Sequence, residues 1–61
     1  MLYEINIDPM LNHNDPVYVF LEKELEGCEP SSDVDNLHRQ AIAINAQYGL
    51  ELVHVSPVFN H

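Results

Sequence analysis

The chain has one cysteine, two glycines, no tryptophan and only two basic residues, Lys23 and Arg39, in 61 positions. Each scarcity removes a class of protein. A lone Cys28 cannot close an intrachain disulfide, and there is no C-x-x-C pair to anchor a zinc site. Two cations against ten carboxylates give a formal net charge of −8. Nucleic-acid backbones and anionic membrane surfaces are bound through basic patches, so direct contact with either is disfavoured. No apolar run approaches the roughly 18 residues needed to cross a bilayer, and no charged-then-apolar leader opens the chain. The two glycines both fall where helices should end, so neither a phosphate-cradling loop nor a nucleophile elbow is expected. A single thiol without a glycosylation sequon points to a reducing, cytoplasmic location.

What is present is an ordinary folding composition, 46% hydrophobic. Residues 1–61 are read as one small domain. A chain this short buries only about 60% of the surface its unfolded form exposes, so its stability alone is marginal. Disulfides and metals are disfavoured on the residues, which leaves oligomerisation as the usual remedy, and a homodimer is expected.

The stretch from Ser31 to Gly49 carries the clearest pattern. Val34, Leu37, Ala41, Ile44 and Tyr48 recur at three- and four-residue spacings, the stripe of an α-helix. Ser32, with Asp35 three residues on, is in capping-box register. Gly49 can end the helix in the left-handed conformation, with Leu50 folding back on Ile44. Ile42 and Ala46 lie on nearly the opposite side, so this helix is apolar on two faces and calls for a second cover.

Before it, residues 1–7 alternate as a strand and Asp8-Pro9 stops it. Met10 and Leu11 are expected to plug the core edge. Asn14 or Asp15 can cap a helix with Pro16 at its first position, and Val17, Phe20, Leu21 and Leu25 form its apolar face. Residues 16–21 taken alone also suit a strand; the preceding cap and the helix-forming 22–26 favour the helix. Gly27 and Pro30 mark a short turn, and residues 50–55 read as a second strand ended by Ser56-Pro57. The fold class is therefore α+β, strand-helix-helix-strand, with a central antiparallel helix hairpin in a dimer. The rival is an all-α helical-hairpin dimer with extended termini.

The strongest local signal for function is acidic. Glu22, Glu24, Glu26, Glu29, Asp33 and Asp35 crowd together, offset only by Lys23. Glu22 and Glu26 lie one helical turn apart, a repulsive spacing that gains nothing locally. Such a run is either a solvated face or a patch for a basic surface on another protein. Tyr18, Ile42, Ala46 and Phe59 are candidate interface anchors. The four histidines, His13, His38, His54 and His61, show no metal-ligand spacing, so no metal or cofactor is expected. Cys28 between Glu26 and Glu29 is a poor nucleophile. Ser32, Asp33 and His38 have the residue types of a triad, but the first two are better explained as capping groups. No catalytic residues are assigned and no enzyme is expected.

In size, acidity and lack of a site the chain resembles, in a general way, the small accessory proteins that phages and mobile elements use to bind host proteins. That resemblance implies a regulatory interaction module. The alternatives are a nucleic-acid mimic that inhibits a DNA-binding protein, and a structural subunit with no separate ligand.

Overall fold

The alternation of residues 1–7 and the cap before Pro16 both take shape in the computed structural model, which describes residues 1–58. Strand β1 (Tyr3–Ile7), helix α1 (Pro16–Leu25), helix α2 (Val34–Tyr48) and strand β2 (Val53–Pro57) follow one another. The two strands pair antiparallel, with Ile5 opposite Val55 and Ile7 opposite Val53. The architecture is thus α+β, a two-stranded sheet and two helices. Phe59 and His61 lie outside the described residues.

Ile5 and Val53 bury on the helix side of the sheet, each followed by an exposed residue, Asn6 and His54. There they meet Leu21 of α1 and Leu37, Ala41 and Ile44 of α2. The five-residue stripe of α2 faces inward as its spacing predicts, with Val34 and Tyr48 half-buried at its ends. Helix α2 lies over both strands and α1 over β1; no Cα of α1 comes within 8 Å of one in α2.

Several local expectations are corrected. Helix α2 is capped by Asp33, whose carboxylate accepts from Asn36 N–H at 3.1 Å. Ser32 does not cap it; Ser31 Oγ instead accepts from Asp33 N–H at 3.0 Å. Gly49 does end the helix at φ 68° and donates to the Asn45 carbonyl. Leu50 stays exposed, so the cap is the simpler left-handed motif without the fold-back contact. On α1, Asp15 is the cap, accepting from Val17 N–H at 2.9 Å. Phe20, expected in the core, is 64% exposed. The inward stripe is Val17, Tyr18, Leu21 and Leu25, rotated away from Phe20 because α1 rests on the sheet margin and only a narrow arc is covered. Leu11 packs on the core, whereas Met10 is 90% exposed.

Strand β2 begins later than its pattern suggests and runs through Ser56-Pro57. Asn45 explains the start. Its Oδ1 accepts from Leu52 N–H at 2.8 Å and Val53 N–H at 3.0 Å, and its Nδ2 donates to Val53 O at 3.1 Å. Pro57 is tolerated because the residues of β2 that bond to β1 are the even-numbered ones, as Val58 N–H to Leu2 O and Asp8 N–H to Leu52 O require. The N–H that Pro57 lacks would point away from β1.

Candidate functional site

Strand β1 presents its side chains alternately to the core and to water, and on the watered face they pair with β2. Asn6 Nδ2 donates to Ser56 Oγ. His54 Nε2 lies 3.0 Å from Asp8 Oδ2. The His54 contact, followed by the bond from Met10 N–H, holds the Asp8 carboxyl below the usual aspartate range. A depressed folded pKa means that Asp8 stabilises the fold above the ordinary aspartate value. That contribution disappears as pH falls through the folded value. Replacing His54 by Gln should raise the Asp8 titration midpoint, read by NMR of its side-chain carboxyl; an unchanged midpoint would exclude His54 as the main cause.

The core side of β1 leads to the candidate site. Between β1 and α1 runs an open groove of about 360 Å³, lined by Ile5, Asn6, Ile7, Tyr18, Glu22, Leu25 and Glu26. Helix periodicity puts Tyr18, Glu22, Leu25 and Glu26 on the flank of α1 that borders β1. The groove thus has an apolar floor beneath two carboxylates. Tyr18 is half-buried and stacks on His13, with ring centroids 4.5 Å apart.

The acidic cluster seen in the sequence is divided by the fold. Its six members are all exposed, but only Glu22 and Glu26 meet at the groove. Glu24 is about 200° around the helix from Glu22. Asp33 is engaged as the cap of α2, with Asp35 in the first turn of that helix, and Glu29 lies in the interhelix turn. Ile42 is 66% exposed and Ala46 is exposed, so the second apolar face of α2 is uncovered in the single chain. A further apolar surface, missed by the sequence reading, joins Pro16, Val19, Phe20 and the stem of Lys23 on α1.

The remaining reactive side chains are dispersed. His38 Nδ1 is 3.0 Å from Val34 O, and Cys28 Sγ sits half-buried 3.4 Å from Gln40 Oε1. Among the described residues no three His, Cys, Asp or Glu side chains come together as metal ligands. None of the described helices is long and apolar enough to cross a membrane.

No protein-family model matches this chain, and no curated protein or solved structure shows significant similarity to it. The groove must therefore be read from its own chemistry. It offers apolar contact and paired negative charge on an open surface.

Proposed function

We propose that the chain is a small acidic interaction module, a cytoplasmic regulatory accessory protein of the phage or mobile-element type, that binds a basic segment of another protein. The observation that carries this reading is the alignment of Glu22 and Glu26 with Tyr18 over the Ile5–Ile7–Leu25 floor. Carboxylates placed beside an apolar floor steer a cationic ligand and give it something to pack against. Non-enzymatic action fits a groove open to water, where a reacting group would not be desolvated. The second cover of α2 is a second copy of the chain, meeting through Ile42 and Ala46. Sedimentation over a concentration series should then show twice the chain mass, and Ile42→Glu should return it to the monomer. A wild-type monomer throughout would remove the dimer.

Charge location is separable from total charge. An oligolysine peptide should bind the protein in low salt and release as the Debye length shrinks below about 8 Å. Replacing Glu22, Glu26 and Glu29 together by Gln should weaken that binding about tenfold or more. The equal-charge control, Glu24→Gln with Asp35→Asn and Glu51→Gln, should weaken it far less. Equal losses in the two triple variants would show that the patch acts only through net charge.

A further inference from the structure

We propose that the groove takes its partner as an added strand: an extended segment pairs antiparallel with the outer edge of β1 at Ile5 and Ile7, with basic residues at alternate positions facing Glu22 and Glu26. This rests on the reading of the groove as a site for a basic partner and states how that partner is held.

The edge itself is defined by hydrogen-bond parity. In an antiparallel ladder successive residues direct their N–H and C=O to opposite sides. Leu2 and Asp8 bond toward β2, so the even-numbered residues face that strand. Tyr3 bonds the other way, giving its N–H to Ser31 O at 2.8 Å and accepting from Ser31 N–H at 2.9 Å. Ile5 and Ile7 share the parity of Tyr3, and among the described residues nothing bonds their backbone groups on this side. The groove wall agrees. Three consecutive strand residues, Ile5, Asn6 and Ile7, line it together, although their side chains alternate between faces. Such a wall includes the backbone edge.

The chain begins a third strand here and abandons it. Ser31 makes an antiparallel bridge to Tyr3, but Glu29, the next residue of matching parity, makes no backbone bond to Ile5. The opposite edge of the sheet is protected. Asn45 occupies the outward groups of Val53, and Pro57 removes a donor further along, a common defence of edge strands. The β2 edge carries these two defences, and the β1 edge, beneath two carboxylates, carries neither at Ile5 and Ile7.

Charge decides the occupant. A second copy pairing edge to edge would bring its own Glu22 and Glu26 to the same seam, between chains each carrying −8. A basic segment meets complementary charge instead. Alternate residues of a strand are about 6.8 Å apart, close to the roughly 6 Å rise between helix positions four apart. In antiparallel register the residues opposite Ile5 and Ile7 both bond to the edge and project toward the helix side, which places their cations at Glu22 and Glu26.

The probe is a blocked Lys-Val-Lys-Val-Lys peptide titrated into the ¹⁵N-labelled full chain at low ionic strength. The Ile5 and Ile7 amides should become protected from hydrogen exchange. Methylating the lysine amide nitrogens should weaken binding at least tenfold, while methylating the valine amides, which face away, should leave it within twofold. Equal affinity of the two methylated peptides would overturn strand addition. The groove reading would survive that result if Glu22→Gln with Glu26→Gln still lost binding, and would fall if the double variant bound as wild type does. Protection of Ile5 and Ile7 without peptide, rising with protein concentration, would assign the edge to a second copy and overturn the proposal.

Discussion

Leu21→Ala should unfold much of this protein, whereas Phe20→Ala, one residue away, should cost about 0.5 kcal/mol or less. Leu21 is fully buried and is the one residue of α1 in the buried core cluster. Truncating a buried leucine costs about 2–5 kcal/mol, through lost transfer energy and the cavity left behind. A domain of this length has a total stability of roughly 3–9 kcal/mol. The loss therefore approaches the whole, and α1 would no longer be held on β1. Phe20 points into water, and alanine is the better helix former, so its removal is close to neutral. Thermal unfolding followed by circular dichroism separates the two variants, because a cost of 1 kcal/mol lowers Tm by about 4–8 °C at this size. If Phe20→Ala proved as damaging as Leu21→Ala, the outer face of α1 would have to be covered in solution, and its melting would then depend on protein concentration.

That pair of neighbours shows where the fold was legible. The stripe of α2 could be read because five apolar residues in helical register leave one solution for the inward face. The four elements and their order follow from similar local signals, such as Asp15 before Pro16 and Gly49 after Tyr48. On α1 the apolar residues are contiguous, Val17 to Leu21, and periodicity alone does not choose an arc among them. The choice is made by tertiary placement, since α1 rests on the margin of a sheet only two strands wide. The candidate site divides in the same way. Glu22, Glu26 and Tyr18 stood out by residue type and spacing. The floor of Ile5 and Ile7, and the open edge beside them, could not be found locally. Whether a strand is an edge depends on what pairs with it, and the decisive partners are Ser31 and residues 53–57, far along the chain.

Asn45→Ala is the second change expected to have a large effect, of roughly 2–3 kcal/mol. Three backbone groups at the start of β2 bond to this side chain: the N–H of Leu52, which also donates to Leu50 O, and both the N–H and C=O of Val53. Val53 is itself buried, so water does not readily replace the lost partners, and an unmet buried donor or acceptor costs about 1–3 kcal/mol. Asn45→Asp tests the assignment of each bond. It keeps an acceptor for the two N–H groups but sets an oxygen against the Val53 carbonyl, so its loss should fall between wild type and alanine. Thermal unfolding of the three proteins gives the order directly, and an alanine variant as stable as wild type would show that the bracket contributes nothing. A consequence beyond stability follows. Asn45 behaves as one residue of a missing strand, and without it the outward groups of Val53 are released beside Val55. The sheet would then have two open edges, and the alanine variant should form species larger than the wild-type assembly at the same concentration. Light scattering of the folded protein below its melting temperature reads that difference. It also distinguishes the two margins of the sheet: one is guarded by Asn45 and Pro57, and the other is left unguarded at Ile5 and Ile7 beneath Glu22 and Glu26, where a basic strand can be selected by charge.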